Sequence, residues 1–93
     1  MFERILIQMR EKIRARQYVM ALHAEEEMDE DDLTIFDVES IVLSGNIVER
    51  QKDPATGEWK YLVKGETLSG SPAIVVTKMS PTGRLVFVTV FRE

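Results

Sequence analysis

The fold is decided near the C-terminus, by the stretch Ala73-Ile74-Val75-Val76-Thr77-Lys78-Met79-Ser80-Pro81-Thr82-Gly83-Arg84-Leu85-Val86-Phe87-Val88-Thr89-Val90-Phe91. β-Branched and aromatic residues fill both of its ends, and this composition is typical of strands. The middle, residues 80–83, contains Ser, Pro, Thr and Gly and has the composition of a tight turn. We therefore predict two antiparallel strands joined by this turn.

The same pattern extends towards the N-terminus. Strand composition recurs in residues 47–52 and 59–64. Turn residues separate these segments, with Pro54 and Gly57 in residues 53–58 and Gly and Ser in residues 65–71. Four strand segments joined by short turns predict an antiparallel meander.

Helical patterns dominate the first half of the chain. Residues 2–13 carry an apolar stripe at helical spacing, formed by Phe2, Ile5, Leu6, Met9 and Ile13. Residues 17–20 are predicted to form a short strand, and an acidic helix follows from residue 22 to residue 32. Another helix is predicted to begin at Thr34, with Asp37 completing a capping box, and to end at Gly45 in a left-handed conformation.

This order, α-β-α-α-β-β-β-β, predicts an α+β fold in which the N-terminal helices pack on one face of a C-terminal antiparallel sheet. Residues 1–93 are predicted to form a single domain, with residues 1–15 as an N-terminal helix and residues 17–93 as the core. The sheet residues expected to be largely buried are Trp59, Tyr61, Val75, Val86, Val88 and Val90.

Charge is distributed unevenly along the chain, whose net charge is −4. Residues 1–16 carry five basic and two acidic side chains, and residues 17–46 carry nine acidic ones and no Lys or Arg. This balance disfavours a general nucleic-acid binder, but a local basic patch is compatible with it. The N-terminus does not resemble a signal peptide, no run is apolar enough to cross a membrane, and cysteine is absent, so we expect a cytoplasmic protein.

Strand alternation predicts a cationic open face on the sheet. Lys60 and Lys64 alternate with Trp59 and Tyr61, so the two pairs should lie on opposite sides. If the apolar side meets the helices, the open face collects Arg50, Lys60, Lys64 and Lys78, and such a face suits phosphate groups. The alternative is that the lysines only keep a solvated face soluble.

His23 is the only histidine of the chain. A single histidine beside solvated carboxylates lacks the spacing of a metal site, so no metal is expected. Two interpretations stay open: a structural residue at the start of the acidic helix, or a general acid and base. The acidic run of residues 25–32 is likewise either a solvated face or a docking surface for a basic partner.

Several segments together resemble a small bacterial family catalogued as a domain of unknown function. They are Tyr18-Val19-Met20-Ala21-Leu22-His23-Ala24, Glu27-Met28, Leu33-Thr34-Ile35-Phe36-Asp37-Val38, Leu43-Ser44-Gly45-Asn46-Ile47-Val48-Glu49 and Val86-Phe87-Val88-Thr89-Val90-Phe91. The family is similar to the RelE and MqsR type of mRNA-cleaving toxins and is often encoded beside a zinc-finger antitoxin-like protein.

The resemblance implies a bacterial toxin of a type II toxin–antitoxin pair, bound by a small antitoxin protein. It implies an RNase-like α+β fold and an endoribonuclease that cleaves RNA through its 2′-hydroxyl, with no metal and no cofactor. The catalytic residues implied are His23, Lys60, Lys78 and Thr89, and the RNA-contacting residues are Arg50, Lys64 and Tyr61.

Two further alternatives stay open. Family members often carry arginines near Glu27 and Asp31, and the acidic residues here favour a non-catalytic interaction module or an inactive toxin homologue. The apolar stripe of residues 2–13 either packs on its own sheet or pairs with a second subunit to form a homodimer.

Overall fold

A computed structural model describes residues 2–93 and confirms the predicted α+β class and order of elements. The three helices all lie in the N-terminal half. The elements are α1 (Glu3–Arg14), β1 (Tyr18–Met20), α2 (Leu22–Glu30), α3 (Ile35–Ser44), β2 (Asn46–Lys52), β3 (Trp59–Glu66), β4 (Pro72–Met79) and β5 (Leu85–Arg92).

The five strands form one mixed sheet in the order β1-β5-β4-β3-β2. Strands β2 to β5 form the predicted antiparallel meander, but β1 pairs in parallel with β5, with Tyr18 opposite Leu85 and Met20 opposite Phe87. The predicted antiparallel sheet of the C-terminal half is therefore present, and the parallel pairing of β1 makes the complete sheet a mixed one. Parallel neighbours need a long crossover connection, and here α2, α3 and the meander itself supply it.

The core lies between the helices and one face of the sheet. Helix α1 contributes Leu6, Met9 and Ile13, which are buried within their own chain. This is the first of the two arrangements expected for the apolar stripe of residues 2–13. The other fully buried side chains include Val38, Ile41 and Val42 of α3 and Val63, Val75, Leu85, Phe87 and Val90 of the sheet. Whether the chain also dimerises stays a prediction, which the mass of the protein in solution would test.

Of the six sheet residues predicted to be buried, Val75 and Val90 are buried, Tyr61 is partly buried against the core, and the other three are half-buried or exposed. Val86 pairs with Lys78 on the face away from the helices, so it is only half-buried. Val88 sits at a register shift of β5, and Trp59 lies at the start of β3 with 40% of its surface exposed. Strand alternation identified Val75 and Val90 correctly. It does not reveal the register shift that lies between this pair and Leu85.

Helix α3 begins as predicted and ends differently. The Thr34 hydroxyl accepts a hydrogen bond from the Asp37 N–H, and the Asp37 carboxylate accepts one from the Thr34 N–H, which completes the capping box. Gly45 is not left-handed but extended, with φ −97° and ψ −172°. A Cβ there would collide with the carbonyl oxygens of Ile41 and Lys64, so the glycine permits close approach of α3 to β3.

The carbonyl groups at the C-terminal end of α3 are satisfied by a side chain of another helix. Arg10 of α1 donates from Nε to the Val42 carbonyl at 3.2 Å and from Nη2 to the Gly45 carbonyl at 2.8 Å. A cation at this end also suits the helix dipole. Arg10 therefore fixes α1 against α3 while it caps the helix.

No helix within residues 2–93 combines the length and the apolarity that crossing a lipid bilayer demands.

Candidate functional site

The sheet face turned away from the helices, here called the open face, is part apolar and part cationic. Residues directly opposite each other on antiparallel strands share a face, so the register assigns the members of the open face. Along β4 and β5 they include Ile74, Val76 and Lys78 and their partners Phe91, Thr89 and Val86. On β3, Leu62 and Lys64 pair with Val76 and Ile74. Apolar side chains thus occupy much of the face, and the lysines flank them.

Lys60 and Lys64 lie on the open face, as predicted, because Tyr61 and Val63 between them face the core. Continuing the β3–β4 register by one residue sets Lys60 opposite Lys78. A backbone hydrogen bond from Ala55 is the main cause that lowers the pKa of Asp53, and the charges of Lys60 and Lys78 add to it. The charges of both amines therefore act on the Asp53 carboxylate.

Two of these lysines form ion pairs. The Lys78 amine is 3.3 Å from the Glu58 carboxylate, and the Lys64 amine is 3.1 Å from the Glu93 carboxylate. Ion pairs that keep contact with solvent are weak, so an incoming phosphate can compete for the amines.

Arg50 and Tyr61 do not belong to the open face. The two residues pair directly, and Tyr61 lies against the core. A β-bulge in β2 between Ile47 and Glu49 reverses the alternation expected for Arg50. Its guanidinium instead stacks on Trp59, with 3.9 Å from Cζ to the ring centroid. The expectation that Arg50 joins the lysines was therefore wrong.

Tyr61 packs its ring edge-on against Phe2 of α1, with 6.1 Å between ring centroids. An RNA strand on the open face would lie on the other side of the sheet from this ring. Its assignment as an RNA contact thus does not fit the geometry, because the core-facing position on β3 assigns it to helix packing.

His23 stands on the second residue of α2, at the edge of β5, and 68% of its side chain is exposed. Its Nε2 atom lies 3.4 Å from Oε1 of Glu27, one helical turn further on. The same oxygen accepts a hydrogen bond from the Val90 N–H at 3.3 Å. Glu27 therefore links the imidazole to the backbone of the strand that carries Thr89.

Two acidic residues, one in α2 and one at its C-cap, have a structural role that the sequence did not predict. Strand β1 pairs only with residues 85–87, so the rest of this edge of β5 has no neighbouring strand in the sheet. Glu27 accepts from Val90 there, and Asp31 accepts from the Arg92 N–H at 3.4 Å. The i, i+4 spacing of the two acids was the available signal, since it aligns them on one helix face.

The structure brings some predicted catalytic residues together and separates others. His23 and Thr89 both lie at β5, and Lys78 is on the adjacent strand β4. Lys60 belongs to β3, a further strand away, and adjacent strands are about 4.8 Å apart. Lys60, Lys78 and Thr89 thus form a band across the open face, whereas His23 lies on α2 beside the β5 edge of the sheet.

Among residues 2–93, no three carboxylate or imidazole groups are close enough together to hold a metal ion.

The chain matches a protein family over residues 20–92, and that family is described as Domain of unknown function (DUF4258). The match covers most of the chain, so the protein belongs to this family. It spans α2, α3 and the strands of the open face, and it leaves α1 outside. No curated protein and no solved structure is significantly similar to the chain.

Proposed function

We propose that the protein is a metal-independent endoribonuclease of the toxin type that is bound by a small antitoxin protein. It cleaves RNA by means of the 2′-hydroxyl group of the RNA itself. The observation that carries this proposal is the contact of His23 with Glu27, a carboxylate that is itself anchored on the Val90 N–H. An exposed imidazole oriented in this way, beside a sheet face that carries lysines, has the parts of a general acid–base site.

The reaction begins with His23 as the general base. Its imidazole takes the proton of the 2′-hydroxyl, and the oxygen attacks the adjacent phosphorus while the bond from phosphorus to the 5′-oxygen breaks. A protonated Lys78 gives its proton to the leaving 5′-oxygen, and Lys60 and Thr89 bind the non-bridging oxygens. The products are a 2′,3′-cyclic phosphate and a 5′-hydroxyl, and a proton passes from the imidazolium back to the lysine through solvent.

Glu27 is a positioning residue in this scheme. Its carboxylate holds the imidazole ring and stabilises the imidazolium that forms when His23 takes the proton, as acidic partners of catalytic histidines do. Because the Val90 N–H fixes the carboxylate, the orientation is built into the packing of α2 on β5.

The test is cleavage of a mixed-sequence RNA by the purified protein in excess EDTA. We expect new ends with 2′,3′-cyclic phosphate, and no cleavage of the same sequence made with 2′-deoxyribose. A His23→Ala preparation purified in parallel controls for contaminating nucleases. Intact RNA, with and without ribosomes, would refute the proposal, and so would cleavage of the deoxy substrate.

The activity on mRNA implies a cytoplasmic protein, which fractionation of cells that express it would test.

A second candidate, a non-catalytic interaction module, is favoured by one observation. Lys64 and Lys78 already have carboxylate partners, and Glu27 and Asp31 satisfy the free edge of β5. These four charged side chains therefore have partners within the protein and do not need RNA as a ligand. Cells that overexpress the chain would then grow normally, whereas an active toxin arrests growth.

A further inference from the structure

Helix α3 is apolar on two sides but buries only one of them in its own core. Val38, Ile41 and Val42 are fully buried, whereas Phe36 and Leu43 are 57% and 40% exposed on the other side. A surface helix normally presents polar residues opposite its core stripe, so the second stripe is unusual. Phe36 and Leu43 are seven residues apart and line one groove together with Ser40.

The second wall of this groove is a turn held in place by hydrogen bonds. Leu68, in the turn between β3 and β4, is 69% exposed and donates its backbone N–H to Oδ1 of Asp37 at 3.0 Å. Two residues before it, the Glu66 carbonyl accepts from the Ser40 hydroxyl at 2.8 Å. Leu68 is thereby presented beside Phe36 and Leu43, and the groove has a volume of about 460 Å³.

The dimensions fit a short stretch of helix. Seven residues of α3 extend about 10 Å at 1.5 Å per residue, which is close to two helical turns. A partner helix with apolar residues at positions i, i+4 and i+7 presents a stripe of the same length.

The charge around the groove selects the partner. Glu39 lines it, the Asp37 carboxylate holds the turn, and no Lys or Arg is among the lining residues. A second copy that docked through this same groove would bring like charges together, and RNA would be repelled. A helix flanked by Lys and Arg is attracted instead.

We propose that the groove formed by Phe36, Leu43 and Leu68 is the docking site for a basic amphipathic helix of another protein. This surface lies on the helix side of the sheet and is separate from the open face, so the proposal does not depend on ribonuclease activity.

The probe is a synthetic amphipathic peptide with Leu at i, i+4 and i+7 and Lys elsewhere, paired with the same peptide carrying Glu in place of Lys. We expect the Lys peptide to bind at least about tenfold more tightly and to shift the amide NMR signals of residues 36–43 and 66–70. Equal affinity of the two peptides, or shifts confined to other residues, would overturn the proposal.

Variants locate the contact. Leu68→Ser should weaken binding of the Lys peptide at least about fivefold, because Leu68 is one of the three apolar side chains that form the groove. Ile7→Ser is the matched control, since Ile7 is an apolar residue of α1 with 54% exposure outside the groove. Equal losses in both variants would contradict the assignment, and so would self-association of the protein that Leu68→Ser abolishes.

Discussion

Tyr18 fastens the short strand β1 to helix α3. Its hydroxyl donates to Oε2 of Glu39 at 2.6 Å, and its ring packs edge-on against Phe87 with 5.3 Å between centroids. Burial, followed by the hydrogen bond to Glu39, raises the pKa of Tyr18 to about 12 from the ordinary 10.0. The folded chain therefore holds this proton more tightly than the unfolded chain does.

The raised pKa predicts a loss of stability at alkaline pH. The contribution of the protonated Tyr18 hydroxyl to the free energy of unfolding is complete below the unfolded pKa of 10.0 and is lost as the pH rises towards about 12. We expect the free energy of unfolding of the wild type to exceed that of Tyr18→Phe below pH 10.0, and this difference to shrink above it. Chemical denaturation of both proteins across this range measures it, and a constant or growing difference would contradict the interpretation.

Glu27 serves both the fold and the proposed reaction, and one substitution separates the two. Glu27→Gln keeps an oxygen that can accept from the Val90 N–H but removes the charge beside His23. We expect the free energy of unfolding to change by less than about 1 kcal/mol, while the cleavage rate falls about tenfold or more. Glu30→Gln, on the exposed face of the same helix, is the control and should leave both quantities unchanged.

At the scale of elements, the packing of α3 on β3 depends on two glycines. A Cβ at Gly65 would collide with the Ile41 carbonyl, whose backbone cannot move away without disturbing the helix end. We predict that Gly65→Ala lowers the free energy of unfolding by about 3 kcal/mol or prevents folding. Lys64→Ala, next to it on the open face, should cost less than about 1 kcal/mol because it removes only an exposed ion pair. Similar denaturation midpoints for the two variants would refute this explanation.

The elements that depend on local chemistry were predictable from the sequence. Thr34 and Asp37 identify the start of α3, and alternation identifies which side of β3 carries Lys60 and Lys64. Long-range features were not predictable. The parallel pairing of β1 joins residues more than sixty positions apart, and the bulge in β2 moves Arg50 to the other face by adding a single residue.

The types of residue at the candidate site were predictable from the sequence, but the contacts between them were not. His23 stands out because no other histidine exists, and the lysines follow from the alternation. Its link to Glu27 and Val90 depends on the free edge of β5, which only the short length of β1 creates. No periodicity within the sequence records that edge.

Over the whole molecule, acidic and basic side chains are distributed unevenly. The helices α2 and α3 carry acids, whereas Lys60, Lys64 and Lys78 lie on the open face. The proposed RNA binding should therefore weaken with salt in proportion to the number of phosphate contacts. This salt dependence reports which side of the sheet the RNA uses.

We predict that Lys78→Ala lowers the slope of log affinity against log salt concentration by about 0.7, the value expected for one contact with a single strand. Arg4→Ala is the control, because Arg4 is an exposed cation of α1 on the helix side. Fluorescence anisotropy with a labelled RNA oligonucleotide measures both slopes. An equal reduction by Arg4→Ala would show that the open face does not select the RNA.

The central claim is that His23 catalyses RNA cleavage, and the most direct measurement is the single-turnover cleavage rate of His23→Ala against the wild type in excess EDTA. The imidazole is largely exposed, so the variant should fold normally, and its circular dichroism and thermal midpoint provide the check. The account predicts a rate lower by about 10²–10⁴-fold in the variant. Equal rates in the two folded proteins would contradict it.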